Sequence, residues 1–317
     1  MTADTLAAVG AVAGALALDI AIGEPPRRLH PVAWFGRAVG PFDAEWAHPD
    51  AVGACVAVFF PATAAVAVGA AVLVAGRAGL AAAVVVATLV LFISTSLRRL
   101  LARVSGVVAA SETDLDRARE GLRALAGRDA ADLTPGQVRS AAVESLAENL
   151  ADGLVAPLSG FAALAVAAFL TGVGPVPALA VGTAGASWVK AVNTVDSMLG
   201  YREKPVGRVP ARLDDAVMWL PARASALLLA VVARSPGAIP AAGAWTDDVP
   251  SPNSGWPMGT VAAALDCRLE KPGAYVLHPA ASLPDVDTSR VAVRQVAVAG
   301  LLAYAVAGAA VGVAAWS

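Results

Sequence analysis

Four stretches of this chain contain no Asp, Glu, Lys or Arg: residues 51–76, 78–97, 153–189 and 295–317. A chain crossing hydrocarbon must satisfy its backbone hydrogen bonds internally, and a helix does so over about 20 apolar residues. Blocks of this length and composition predict an all-α fold, a polytopic integral membrane helical bundle with cytoplasmic helical loops. Charged residues make up 15% of the 317 residues, well under the roughly 25% of soluble domains.

The block 153–189 is long enough for two crossings, and TGVGPVP (171–177) supplies a turn between them, because Gly and Pro punctuate helices. The expected spans are 5–22, 52–75, 78–97, 154–171, 175–191 and 294–316. A seventh stretch, 216–233, is weaker, since Arg223 interrupts it and Pro221 bends it. The whole chain, 1–317, is read as a single membrane-embedded domain. No Lys or Arg precedes the first apolar stretch, so it lacks the basic flank of a cleaved signal and is expected to stay as a helix.

Basic residues set the orientation. Arg27, Arg28 and Arg37 lie in the 23–50 loop, and eight arginines from Arg98 to Arg139 lie in the 98–152 loop. Arg202, Lys204, Arg208 and Arg212 lie in the 192–215 loop. Alternating spans put these loops on one side, which the positive-inside rule makes cytoplasmic. The 98–152 loop is expected to be helical. DLDRAREGLRALAG carries helix-spaced apolar residues up to Gly127. Thr134, Pro135 and Gln137 then form a helix start with a capping box.

The net charge of −2 points to no charged partner. No basic patch is interleaved with aromatics, so nucleic acid is not an expected partner. Cys55 and Cys267 show neither metal-ligand nor disulfide-framework spacing and read as reduced thiols.

The polar residues at the cytoplasmic span ends carry the chemistry. Glu144, Glu148 and Asp152 are four apart, drifting only about 40° per step around a helix, and Asn149 falls within the same arc. Like charges at that spacing repel, and ionisable groups at a membrane span are costly and usually functional. The plain alternative is the solvated end of an emerging helix. The functional one is a set of oxygen ligands for a hard cation such as Mg²⁺. Lys190, Asn193 and Asp196 follow at three-residue intervals and are expected on one helical face, then Arg202 and Lys204. Asp214 and Asp215 stand between Arg212 and Arg223, and Asn253 sits in PSPNSGW (250–256). His30 precedes Pro31 beside two arginines, and such a lone histidine more often makes a structural hydrogen bond than acts as a base. Together these groups suggest a site for an anionic, metal-associated substrate.

Five ordered motifs carry a resemblance: LDIAIGEPPRRLHPVAWFGR (18–37), GRDAADLTPGQVRSAAVESLAENLADGLVAPL (127–158), KAVNTVDSMLGYR (190–202), ARLDDAVMWLPAR (211–223) and SPNSGW (251–256). They are similar to the CbiB/CobD family, the membrane-embedded adenosylcobinamide-phosphate synthases of cobalamin biosynthesis. Two stretches, WTDDVPSPN and YVLHPAASLPDVD, depart from the more basic pattern of the family. The resemblance implies a ligase joining adenosylcobyric acid to (R)-1-amino-2-propanol or its O-phosphate through an amide, with ATP as co-substrate and Mg²⁺.

On that basis Glu144, Glu148, Asp152 and Asp196 are the expected metal ligands. Lys190, Arg202 and Lys204 are expected to hold phosphates, with Glu148 and Asp196 also counted among the catalytic groups. Asp214 or Asp215 would accept the amine proton. Asn149, Asn193 and Asn253 would orient corrin amides, with His30 and Arg212 as further substrate contacts. The implied partners are the corrinoid, the amino alcohol, the lipid bilayer and other membrane enzymes of the pathway. Two rival readings remain open here. Asn-x-x-Asp also occurs in intramembrane prenyltransferases, but a second equivalent motif is missing. A corrinoid transporter or sensor should show mid-membrane broken helices and repeats, and neither is evident.

Overall fold

The computed structural model describes residues 2–26, 28–126, 129–200 and 204–316. It is helical almost throughout, with thirteen α-helices and one small hairpin among the described residues. Six helical stretches are long and apolar enough to cross a membrane: Ala3–Ile22, Pro49–Gly76, Leu80–Thr113, Pro135–Leu170, Pro205–Ala233 and Val286–Ala314. The protein is thus an all-α, polytopic membrane bundle. Contacts divide the chain into two compact units, each assembled from separated stretches.

Unit 1 comprises residues 1–96, 156–217 and 303–317. It holds α1 (Ala3–Ile22), the short α2 (Pro31–Val39), α3 (Pro49–Gly76), α4 (Leu80–Ser94), α8 (Ala156–Leu170), α9 (Pro175–Leu199) and the beginning of α10 (Arg208–Ala233). Helix α9 is its hub, packing on α2, α3, α4 and α8. That position explains why α9 is the least hydrophobic of the expected crossings and is not among the six. A helix surrounded by protein needs fewer lipid-compatible side chains, and small residues let its neighbours close in. A Cβ on Gly160 of α8 would lie 2.9 Å from the Gly185 carbonyl oxygen of α9, and one on Gly185 would lie 2.6 Å from that of Gly160. The two backbones touch only because both positions are glycine. A polar tie joins α4 to the end of α13 (Val286–Ala314): the Thr95 hydroxyl donates to the Leu91 carbonyl at 2.8 Å and meets the Tyr304 hydroxyl, also at 2.8 Å.

Unit 2 comprises residues 97–155 and 218–302. Here α5 (Arg98–Thr113) and α6 (Leu115–Ala126) pack on each other and on α7 (Pro135–Leu150). The expected helical loop is therefore present, although its predicted stop at Gly127 lies outside the described residues. The α7 cap forms as the sequence dictates. Thr134 Oγ1 accepts from the Gln137 amide at 3.4 Å, and Gln137 Oε1 accepts from the Thr134 amide at 3.0 Å. The weaker span candidate is continuous helix in α10, with Pro221 inside it and no break. Unit 2 also contains α11 (Ala238–Gly243), α12 (Gly255–Ala264) and an antiparallel hairpin of β1 (Leu269–Lys271) and β2 (Tyr275–Leu277). The hairpin was not expected. Its signal is the Pro272-Gly273 turn, where Gly273 takes φ 75°, a conformation that a side chain disfavours.

Candidate active site

In unit 1 the site is built on the last turns of α9 and the first turns of α10. Asn193 Nδ2 approaches Asp214 Oδ1 at 3.5 Å, a long contact. Asp196, beyond the expected span 175–191, is half-buried, and its buried Oδ1 lacks a hydrogen-bond partner among the described residues. Burial first, and then the nearby Asp215 carboxylate, raise its pKa from 3.8 to about 6. The next turn begins at Gly200, where any Cβ would collide with the Asp196 carboxylate, so glycine makes room for that group. A buried carboxylate oxygen without a donor, beside a second carboxylate, is an environment that favours a proton or a hard cation.

The other unit 1 candidates are distributed differently. Lys190 does not share a face with Asp196: two three-residue steps turn the helix by about 120°. Lys190 instead lines a cavity with residues of α2, α3 and α4. Lys204 is paired with Asp43 at 2.6 Å. His30 caps α2, its Nδ1 accepting from the Val32 amide at 3.3 Å, which is the structural use of a lone histidine. Arg212 is exposed. Arg202 lies outside the described residues.

In unit 2 the carboxylates of the acidic row of α7 have different surroundings. Glu144 is 1% exposed. Its Oε1 accepts from the Ser140 hydroxyl at 2.9 Å and its Oε2 from the Tyr275 hydroxyl at 2.6 Å. The Ser140 hydroxyl also accepts from the Glu270 amide at 2.7 Å. Gln137 donates to Glu270 Oε1 at 3.0 Å, and Arg268 pairs with the other Glu270 oxygen. Glu144 thus belongs to a buried polar network that joins α7 to the hairpin.

Asn149 folds back on the Ser145 carbonyl at 2.8 Å. Glu148 and Asn149 are half-buried, and Asp152 lies in a π-helical turn, Ala151–Val155. That wider i→i+5 turn takes Asp152 off the regular 40° progression, and such turns recur at functional sites. Among the described residues no three His, Cys, Asp or Glu side chains are grouped to hold a metal ion. The expected ligands Glu144, Glu148, Asp152 and Asp196 are thus not gathered into one such group among the described residues. Hydrogen bonds from Ser140 and Tyr275 already occupy Glu144.

Asn253 is buried, its Oδ1 accepting from Arg223 Nη1 at 2.7 Å. The Arg223 guanidinium lies 4.6 Å from the Trp219 ring centroid and 5.1 Å from that of Trp256, and also donates to the Trp219 carbonyl at 3.0 Å. It clamps the Ser-Pro-Asn loop to α10. Sequence reasoning treated Arg223 only as an interruption of a span. The overlooked signal is its i,i+4 spacing from Trp219, which stacks a cation on an indole. Tyr275 and Ser140 were missed because their partners are about 130 residues away. Cys267 is buried, and burial first, then Asp266 and Asp285, push its thiol up to about 12, so it is an inert structural thiol.

Comparison with known proteins gives the lineage. The sequence model of the CobD/Cbib protein family matches residues 12–305. A probable cobalamin biosynthesis protein CobD of Methanothrix thermoacetophila is 35% identical over 83% of this chain and 84% of its own length. The cobalamin biosynthesis proteins CobD of Klebsiella pneumoniae and Mycobacterium tuberculosis are each 37% identical. They cover 81% and 84% of this chain, and 81% and 82% of their own lengths. No solved structure matches. With the five motifs inside the matched region, the chain belongs to the CobD/CbiB family.

Proposed function

We propose that this protein is the amide-forming ligase of its family, joining adenosylcobyric acid to (R)-1-amino-2-propanol or its O-phosphate in cobalamin biosynthesis at the cytoplasmic face of the membrane. Family membership and the names of the relatives support the pathway. The observation that carries the chemistry is Asp196, whose buried Oδ1 has no donor among the described residues and which feels the charge of Asp215.

A carboxylate is a poor acyl donor because its leaving group is oxide. Transfer of a phosphoryl or adenylyl group from ATP to the corrin propionate converts that oxygen into part of a good leaving group. The amine then forms the C–N bond, phosphate or AMP departs, and one proton is released. Such transfers depend on positioning and charge neutralisation. The donor set fits Mg²⁺, which takes one or two protein carboxylates and completes its shell with water and substrate phosphates. Asp196 and Asp215 would hold it, and when bound it would neutralise the phosphate oxygens.

Asp214, held near Asn193, is the proposed acceptor of the amine proton. Lys204 would exchange its Asp43 partner for a phosphate. Glu148, half-buried at the end of α7, is a second proposed acid–base group. Asn149 and Asn253 are assigned to corrin amides, Asn253 being pre-positioned by Arg223.

The test is the Mg²⁺ dependence of ATP-driven ligation. Asp196→Asn and Asp215→Asn should each raise the Mg²⁺ concentration for half-maximal rate by tenfold or more. An unchanged Mg²⁺ requirement in both variants would remove the two aspartates from the site.

A further inference from the structure

Two cavities of unit 1 adjoin along α2. One, of about 270 Å³, lies among α2, α3, α4 and α9, with mostly apolar walls such as Phe35, Val68, Val90 and Ile93, and with Lys190 at its side. The other, of about 810 Å³, is walled by Arg28 and Arg37 together with Gly40 and Met198. Val32 and Thr194 line both, so a mainly apolar compartment and a cationic one share a wall. Among the described residues no carboxylate pairs with Arg28 or Arg37; Arg37 donates its Nε to the Ala33 carbonyl at 3.2 Å.

Two exposed tryptophans close by in sequence are of the kind found at a membrane–water interface. Trp34 is 49% exposed and ties its Nε1 to the Arg28 carbonyl at 2.8 Å. Trp46 is 42% exposed and stacks on Phe42. Indoles with a wet polar end and an exposed apolar face collect at headgroup level. Two guanidiniums with no carboxylate partner among the described residues attract anionic headgroups, which are concentrated in the cytoplasmic leaflet.

We propose that the paired cavities bind an acidic phospholipid. Its phosphate lies against Arg28 and Arg37, and the head of one acyl chain enters the compartment between α2, α3, α4 and α9. Guanidinium forks match phosphate oxygens, and the mainly apolar walls accept methylenes. A zwitterionic lipid offers the same phosphate with an ammonium that cancels it, so the site discriminates by net charge.

The full-length protein would be equilibrated with equal phosphatidylglycerol and phosphatidylcholine in detergent, then washed, and its retained lipid read by native mass spectrometry. Phosphatidylglycerol should be retained over phosphatidylcholine by roughly tenfold and should raise the melting temperature. The Arg28→Gln/Arg37→Gln variant should bring that ratio close to one. Arg208→Gln, an exposed arginine of the same unit, should leave it unchanged. Val32→Phe, which fills the shared wall without touching either arginine, should lower retention of both lipids. It decides the matter if the double variant does not fold. Equal retention of the two lipids by the wild type would overturn the proposal, as would an equal loss in Arg208→Gln. Displacement of the lipid by glycerol phosphate would also overturn it and assign the arginines to a soluble phosphate ester.

Discussion

Replacing Asp196 by Asn tests the electrostatics of the site without any substrate. The native carboxyl has a pKa of about 6 against 3.8 when unperturbed, from burial and then Asp215. Below pH 3.8 the group is protonated in both folded and unfolded chains and has no effect on stability. Between 3.8 and 6 the unfolded chain releases its proton first, so the native state holds more protons and stability falls as pH rises. Above pH 6 the full destabilisation is present. At 1.36 kcal/mol per pKa unit, the interval from 3.8 to about 6 corresponds to about 3 kcal/mol. Asn keeps the shape and has no charge, so it removes this cost only where Asp would be ionised. The assay is thermal unfolding of wild type and variant in detergent with EDTA, from pH 4.5 to 8. At pH 4.5 the cost is already about 1 kcal/mol, so the variant should melt about 2–4 degrees above wild type there and several degrees further above it at pH 8. Adding Mg²⁺ at pH 8 should raise the wild-type midpoint and leave the variant unmoved. A difference independent of pH, or a variant less stable at pH 8, would refute the reasoning.

Glu148→Gln should lower Mg²⁺-dependent ligation by about a hundredfold or more, with an unchanged gel-filtration profile. Wild-type turnover would return Glu148 to the solvated end of its helix. Tyr275→Phe removes the donor to the buried Glu144 Oε2, so equilibrium unfolding should show a loss of about 1–3 kcal/mol. Arg223→Ala should free the loop around Asn253, seen as faster proteolysis within 245–256. Arg223→Lys should restore little, because an ammonium cannot span Asn253 and the flanking indoles as the guanidinium fork does.

The bundle was legible because lipid imposes a strict rule on sequence. Uncharged blocks of spanning length read directly as helices, and the Thr134–Gln137 capping box marked the start of α7 to the residue. The membership of α9 in the bundle was equally readable, but its reason was not. Its Gly182 and Gly185 contacts with Phe161 and Gly160 depend on a partner helix that periodicity does not identify.

For the site, residue type and spacing singled out Asp196, Asp214 and Asp215, and the structure puts Asp196 near Asp215 and Asp214 near Asn193. Spacing failed where geometry departs from a regular helix or where long-range partners intervene. Three-residue steps carried Lys190 away from Asp196. A π turn displaced Asp152, and the hairpin 269–277 supplied Tyr275 to Glu144. The hairpin contact depends on tertiary structure that local pattern does not encode, whereas the Lys190 offset follows from regular helix geometry.

The most direct measurement is turnover by the purified full-length protein in nanodiscs, supplied with adenosylcobyric acid, aminopropanol phosphate, ATP and Mg²⁺, with the corrinoid read by mass spectrometry. The account predicts a product heavier by the amino alcohol phosphate less one water, formed only when nucleotide and metal are both present. An unmodified corrinoid under those conditions, with free aminopropanol also inactive, would contradict it.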